Sequence, residues 1–236
     1  MEGSAIQRPS GEFGWLPFLL QTADALFPTG AYAHSLGFEE TVRLSGLRDE
    51  TGLQSFLLQQ ILPAQAELEL PYLRFAAEAR DVEELCAIDQ EISAWKLARE
   101  TREASAQLGG RRLQALRVAT DAPELAELGS AIKAGAASGH HLVICGIQAR
   151  IAGIPIDAAL NAYFYQSLSA VCSAALKLIR IGQEGCQRAL RAACLQTPET
   201  IARSREVVRA EAGWFNPLLE IASMRHARAE ERLFIS

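Results

Sequence analysis

The stretch PIDAALNAYFYQSLSAVCSAALKLI, residues 155–179, decides the fold prediction for this 236-residue chain. Its apolar residues recur every three or four positions, at Ile156, Leu160, Phe164, Leu168, Val171, Ala175 and Ile179. That spacing places them on one face of an α-helix. A helix of this length and apolarity is typical of the centre of a helical bundle, so we expect the other elements to pack around it.

Most other segments also show the helical period, and several begin with residues that favour helix starts. Asp49 and Asp81 are predicted N-caps, while Asp121-Ala122-Pro123 and Thr197-Pro198-Glu199 are typical first turns. No stretch combines strand alternation with strand-type turns. We therefore predict an all-α protein, a single-domain bundle of roughly ten helices over residues 15–236, after a disordered N-terminal lead over residues 1–14.

Prolines and glycines mark the positions where these helices are expected to bend, to end or to pack closely against a neighbour. Pro63 is predicted to bend or break its helix, and Pro71 is either a second break or part of a first turn. The Gly109-Gly110 pair either kinks its helix or admits a close neighbour. A seam of small residues is predicted for close helix packing at Gly135, Gly139, Gly146, Ala149 and Gly153.

Composition and charge exclude several classes of function. The formal net charge of −5 at pH 7 argues against a surface for nucleic acid or anionic membranes. The five cysteines are odd in number and lack C-x-x-C spacing, which argues against a disulfide framework or a zinc knuckle. Residues 1–14 lack the apolar core of a signal peptide, and no apolar run is long enough to span a membrane. These features favour a cytoplasmic protein.

The chain contains no motif that indicates catalysis, and we predict no catalytic residue, cofactor or metal ligand set. Phosphate-binding, zinc-protease and serine-hydrolase motifs do not occur. Adjacent residues on a helix point apart, so for His140-His141 we favour one imidazole in the core and one at the surface over a metal site. The pairs Glu39-Glu40 and Glu230-Glu231 favour solvated helix faces over an acid–base pair.

Three polar segments are candidates for binding. The turn predicted at Pro28 and Gly30 lies within residues 19–39, where Asp24, Tyr32, His34 and Glu39 are concentrated and Ser35 is a possible N-cap. The C-terminal Leu233-Phe234-Ile235 is expected to dock, either on the core of this chain or in a partner's groove, with Arg232 supplying a directional contact. At the end of the central helix and just after it, Lys177, Gln183 and Gln187 fit a structural or a functional role equally well.

Four motifs follow one another along the chain. They are FPTGAYAHSLGFE at 27–39, ETREASAQLGGRR at 100–112, the polar and apolar positions from Tyr163 to Gln187, and IASMRHARAEERLFIS at 221–236. In order and spacing they resemble the UreF family of urease accessory proteins. The resemblance covers residues 19–236.

The resemblance implies an all-α, UreF-like domain without catalytic activity or cofactor, which acts as a chaperone scaffold in nickel insertion. Its implied partners are UreD (also called UreH), the GTPase UreG and apo-urease, and a homodimer is expected. The residues implied to bind UreD are Tyr32, His34, Ser35, Glu39, Arg232, Leu233 and Phe234. Those implied to face the dimer or the GTPase are Tyr165, Lys177, Gln183 and Gln187.

Two other functions remain open at this point. A helical adaptor or regulator of a different GTPase has the same fold and the same lack of catalytic motifs. A helical ligand-binding enzyme is a third possibility, with His34 or His140-His141 as its functional groups. Copurification with urease accessory proteins separates the first reading from the second, and a bound ligand in the purified protein indicates the third.

Overall fold

The computed structural model describes residues 12–24, 26–30, 37–229 and 232–234. Within them the chain forms eleven continuous helices, no strand and a single helical domain, which confirms the all-α prediction. The predicted interface residues Tyr32, His34 and Ser35 lie outside the described ranges, as does most of the predicted lead. Residues 12–14, also assigned to the lead, form a turn in which Phe13 accepts a hydrogen bond from the Leu16 N–H.

The α-helical segments follow one another along the chain with short connections. They are α1 Leu16–Ala23, α2 Phe38–Ser45, α3 Glu50–Phe56, α4 Leu62–Ala64, α5 Leu70–Glu78, α6 Val82–Trp95, α7 Arg99–Ala119, α8 Pro123–Lys133, α9 His141–Ile151, α10 Ile156–Leu178, α11 Gln183–Cys194, α12 Thr197–Glu206 and α13 Pro217–His226. The π-helical segments Leu57–Ile61 and Gln65–Glu69 join α3, α4 and α5 into one helix over residues 50–78.

Helix starts agree with the capping residues in the sequence. The Asp49 carboxylate accepts a hydrogen bond from the Gly52 N–H at 2.9 Å, and the Asp81 carboxylate accepts one from the Glu84 N–H at 2.8 Å. Each satisfies a backbone donor that has no partner inside the helix. Helices α8 and α12 begin at Pro123 and Thr197, in the predicted first turns.

The two prolines do not end the helix over residues 50–78. Of the bend or break predicted at Pro63, the break does not occur, and of the two alternatives for Pro71 the first turn is found, at the start of α5. Each proline follows a π-helical segment by two residues. A wider turn before a proline accommodates both its bulky ring and its missing N–H, so the helix continues.

The centre of the bundle is α10, as the spacing in residues 155–179 predicts. Leu160, Phe164 and Leu168 are fully buried, and α10 packs against α1, α2, α5, α9, α11 and α12. Among the helices of the described chain, none is long and apolar enough to cross a membrane.

Two glycines permit the closest approaches in the core. A Cβ at Gly109 would collide with the Gly139 carbonyl oxygen, and one at Gly146 would lie 2.6 Å from the Leu73 carbonyl oxygen in α5. Of the two alternatives for Gly109-Gly110, the structure therefore shows the close neighbour. The predicted small-residue seam is wrong for Gly135, Gly139 and Gly153, which have positive φ angles in turns. Such turns favour glycine for its backbone conformation.

Candidate partner-binding site

The C-terminal segment returns to the start of α2 and binds a buried carboxylate there. The Leu233 N–H lies 3.0 Å from Glu39 Oε1, and the Phe234 N–H lies 3.1 Å from Glu39 Oε2. Glu39 is fully buried. Residues from both ends of the described chain therefore meet at one carboxylate, and we call this arrangement of Glu39, Glu100, His226 and residues 232–234 the tail clasp.

Close packing of α2 and α13 allows the tail clasp to form. Gly37, the N-cap of α2, has a left-handed conformation with φ of 81°. A Cβ at this position would lie 2.7 Å from Ser223 Oγ in α13. Glycine is therefore favoured at residue 37 both by its backbone conformation and by the space available. This packing places the end of α13 beside Glu39.

His226 connects Glu39 to a second carboxylate on α7. Its Nε2 lies 3.1 Å from Glu39 Oε2, and its Nδ1 lies 3.0 Å from Glu100 Oε1. Ionised carboxylates only accept hydrogen bonds, so a ring protonated on both nitrogens satisfies both contacts. The buried imidazole thus holds α2, α7 and α13 together at the base of the tail.

The surroundings of Glu39 favour its charged form. Burial alone raises the pKa of a carboxyl group, but the Leu233 N–H, the His226 ring and the Phe234 N–H together outweigh it and lower the pKa of Glu39.

The prediction that Glu39-Glu40 forms a solvated face is wrong, because both side chains are buried. Arg43 pairs with Glu39 at 3.2 Å and Arg225 with Glu40 at 3.1 Å, which compensates the buried charge. Glu230-Glu231 lies outside the described residues.

The three described tail residues differ in what they present to solvent. Phe234 is only 6% exposed and packs into the hydrophobic core, whereas Leu233 is 70% exposed. The Arg232 guanidinium donates to Glu100 at 3.3 Å. Of the two alternatives for the tail, Phe234 therefore docks on the core of this chain. Leu233 remains an apolar side chain at the surface.

The N-terminal turn is attached to the body through a buried arginine. Arg112 in α7 donates from Nε to Gln148 Oε1 at 2.7 Å and from Nη2 to the Thr22 carbonyl at 3.2 Å. The Gln148 amide in turn donates to the Thr22 hydroxyl at 2.7 Å. The guanidinium also lies over the Phe27 ring, 5.3 Å from its centroid. This network holds α1 and the start of the polar turn against α7 and α9.

The second group of predicted interface residues lies on α10 and α11. Tyr165 is 52% exposed in the middle of α10, and Lys177 is exposed in its last turn. Gln183 and Gln187 are one turn apart on the exposed side of α11. Gln183 also lines an open groove with Glu50, Arg180 and Arg188. Lys177 lies beside Phe234, with its Nζ 5.2 Å from the ring centroid.

The two adjacent histidines are both turned towards the interior. His140 is fully buried, its Nε2 lies 2.7 Å from Ser93 Oγ, and burial lowers its pKa to about 4. His141 is partly buried beside Cys145 and Arg112, and burial lowers its pKa to about 3. The prediction of one core and one surface imidazole therefore holds for His140 only. Among the described residues, no three or more His, Cys, Asp or Glu side chains cluster as metal ligands.

Comparison with known proteins gives the family. The UreF family model matches residues 47–194, more than half of the chain. The chain is 38% identical over 226 residues to a protein named urease accessory protein UreF from Paenarthrobacter aurescens (strain TC1), covering 92% of this chain and 96% of that protein. The chain belongs to the UreF family. A protein of the same name from Arthrobacter sp. (strain FB24) is 34% identical over 222 residues, with 92% and 96% coverage.

The UreF family model covers the body of the bundle, from the approach to α3 through α11. Glu39 and the tail lie outside that range. Sequence reasoning identified Glu39 and residues 232–234 as interface residues without predicting their contact. It did not assign roles to His226 and Glu100, which occur in two of the quoted UreF motifs. The capping and spacing patterns used for helices gave no signal for them.

Proposed function

We propose that this UreF-family chain is a non-catalytic adaptor in urease maturation, which bridges UreD (UreH) and the GTPase UreG while nickel is delivered to apo-urease in the cytoplasm. Family membership supports a role in urease maturation, because the relatives are named urease accessory proteins. The observation that carries the bridging role is the binding of the Leu233 and Phe234 amides to Glu39.

The tail clasp supports a binding role in physical terms. Two segments assigned to the same partner from distant parts of the sequence are held together by one buried carboxylate. The exposed Leu233 side chain is fixed on this surface by its own backbone N–H, next to the guanidinium of Arg232. A preorganised apolar residue loses less conformational entropy on binding than a mobile one. We therefore assign the tail clasp to the UreD partner.

The exposed residues of α10 and α11 are proposed to face other proteins in the complex. Tyr165 offers an aromatic side chain on a helix whose neighbouring exposed positions are Asn161 and Ser173. A central aromatic residue among small polar neighbours suits contact with a second copy of this chain. Lys177, Gln183 and Gln187 are proposed to contact UreG. The proposed assembly thus contains a homodimer.

Reconstitution with purified UreD and UreG tests this function. The chain is mixed with each protein alone and with both, and complexes are measured by size-exclusion chromatography and by activation of apo-urease with nickel. We expect a complex with UreD alone and a larger complex with both partners. A chain that binds a different GTPase but neither UreD nor UreG would show the alternative adaptor function.

A substitution on the exposed tail residue sharpens the test. Leu233→Asp places a charge on the proposed UreD surface, and we expect UreD affinity to fall at least tenfold. Val118→Asp is the matched control, because Val118 is 88% exposed in the last turn of α7. Both variants should fold as the parent does. Equal UreD affinity of the two variants would contradict the assignment of the tail clasp.

A further inference from the structure

The side chain of Arg112 carries a buried charge, and no carboxylate of the described residues forms an ion pair with it. Its guanidinium instead donates to the Gln148 amide oxygen and the Thr22 carbonyl, and it lies over the Phe27 ring. An unpaired buried charge is strongly unfavourable, so the loss of any of these contacts destabilises the site. Because Thr22 and Phe27 lie near the start of the chain, the N-terminal segment completes the surroundings of Arg112, and Arg112 in turn fixes that segment.

The preceding residue of α7, Arg111, holds the same segment at a second point. Its Nη1 donates to the Thr29 carbonyl at 3.3 Å. Gly30 follows with a φ of 77°, and a Cβ at this position would displace the Arg111 guanidinium. Glycine at residue 30 therefore permits both the turn and the approach of the arginine. The segment over residues 22–30 is thus attached to α7 near both of its ends.

These contacts lie immediately before the residues that the family resemblance assigns to UreD, which are Tyr32, His34 and Ser35. Beyond those residues, Gly37 packs against Ser223 of α13. The chain is therefore held on both sides of the assigned residues, at Gly30 by α7 and at Gly37 by α13. A short binding segment whose ends are fixed loses less conformational entropy on binding than one whose ends are free.

We propose that Arg112 is a positioning residue for the UreD site. It is 4% exposed, so it acts through Thr22, Phe27 and Gln148 and does not itself touch UreD. Arg111 supports the same segment from the surface of α7. This inference rests on the proposed function and deepens it, because it names a residue outside the contact surface that sets the affinity for UreD.

The geometry at Arg112 requires arginine and not only a positive charge. A guanidinium donates in two directions in its own plane while its flat face covers an aromatic ring, whereas an ammonium group is a compact point charge. Lysine at residue 112 therefore cannot serve Gln148, Thr22 and Phe27 together. We expect Arg112→Lys to weaken UreD binding as Arg112→Met does.

Calorimetric titration of UreD measures this role in the full chain and its variants. Arg112→Met and Arg112→Lys remove the network, whereas Thr22→Val is a milder change that removes the hydroxyl to which the Gln148 amide donates and keeps the Thr22 carbonyl. Leu128→Ala is the control for lost stability, because Leu128 is fully buried in α8, which packs on α6 and α7. Each variant is titrated at a temperature at which its denaturation curve shows it folded.

A positioning role also predicts coupling between Arg112 and Tyr32. Tyr32→Ala is therefore made in the parent chain and in Arg112→Met. If Arg112 positions the segment, Tyr32→Ala raises the UreD dissociation constant by a smaller factor in Arg112→Met than in the parent. A purely structural role of Arg112 leaves the two factors equal.

We expect the UreD dissociation constant to rise roughly three- to tenfold in Arg112→Met and Arg112→Lys, by less in Thr22→Val, and not in Leu128→Ala. If neither Arg112 variant folds, Thr22→Val decides, and an affinity equal to that of Leu128→Ala overturns the proposal. An unchanged affinity in Arg112→Met, or equal factors for Tyr32→Ala, would also overturn it while leaving the proposed function intact. Absence of UreD binding by the parent chain would overturn both.

Discussion

His226 Nε2 lies 3.1 Å from Glu39 Oε2, and both side chains are completely buried. The same imidazole reaches Glu100 through Nδ1, so one ring connects two carboxylates on different helices. Buried charges of this kind are stable only when each is paired and hydrogen-bonded. The backbone amides of Leu233 and Phe234 complete the set of donors around Glu39. Docking of the tail and the stability of the α2–α13 contact are therefore linked.

Replacing the Glu39 carboxylate should weaken both the docking of the tail and the contact between α2 and α13. In Glu39→Gln, the side chain keeps one acceptor oxygen but presents an NH₂ group to remaining donors. We expect the free energy of unfolding to fall by about 1–3 kcal/mol, measured by urea denaturation. Glu103→Gln is the control, because Glu103 forms a solvent-exposed ion pair with Arg99 at 2.6 Å, which should contribute little to stability. Equal losses in the two variants would refute a special role for Glu39.

The difference in unfolding free energy between the parent chain and Glu39→Gln should depend on pH, with a sign that follows from the lowered pKa of Glu39. The pKa of Glu39 is lowered in the folded chain, so its stabilising effect is present above the ordinary value of 4.5 and is lost as the pH falls through the folded value. The stability difference between the parent and Glu39→Gln should therefore be largest at neutral pH and shrink below about pH 4.5. Protonation of His140 and His141 also destabilises in acid, but it does so in both proteins. A difference that grows in acid would contradict this assignment.

Substitution by alanine should lower the unfolding free energy at Gly109 and raise it at Gly110, the next residue in α7. Gly109→Ala places a methyl group against the Gly139 carbonyl and 2.9 Å from the backbone of His140, so we expect a loss of more than about 2 kcal/mol in unfolding free energy. At Gly110 an added Cβ meets no atom within 4 Å. Gly110→Ala should therefore stabilise the helix by about 0.5–1 kcal/mol. Thermal denaturation of the two variants decides this, and similar shifts in Tm would argue against close packing at residue 109.

The proposed homodimer depends on the exposed side of α10. Tyr165→Asp replaces a half-exposed aromatic residue by a charge, and we expect the dimer to dissociate at least tenfold more readily, measured by analytical ultracentrifugation. Because Tyr165 is 52% exposed, the unfolding free energy of the monomer should change by less than about 1 kcal/mol. Val118→Asp again serves as the control. A dimer that survives Tyr165→Asp would move the interface to another face.

Local patterns predicted the helices because their causes are local. Asp49 and Asp81 cap helices through donors only three residues away, and the apolar spacing over residues 155–179 reports the face that α10 buries. The position of Phe234 was predicted only as one of two alternatives. An apolar residue near the end of a chain indicates that it docks, but it does not indicate where.

The contacts of the tail clasp join residues too far apart for such patterns. His226 and Glu39 are 187 positions apart, and His226 and Glu100 are 126 apart. Two adjacent glutamates on a helix are typical of a solvated face, and only the donors from α13 and the tail make burial of Glu39 favourable. Turn glycines such as Gly139 were wrongly predicted to lie in a seam between packed helices. A glycine in a sequence does not show whether it is needed for a positive φ angle or for close packing.

The π-helical turns before Pro63 and Pro71 change which neighbours the helix over residues 50–78 meets. Each such turn acts like one inserted residue and rotates everything after it by about 100° relative to a uniform α-helix. The early part can then direct Leu53 and Phe56 into the core where it packs on α11, while the late part presents Leu73 and Ala76 to α9. A single deletion within Leu57–Ile61 would therefore convert the wide turn to an α-helical turn and leave the downstream half in register, whereas the same deletion inside an α-helical part of the same helix would misalign the residues after it.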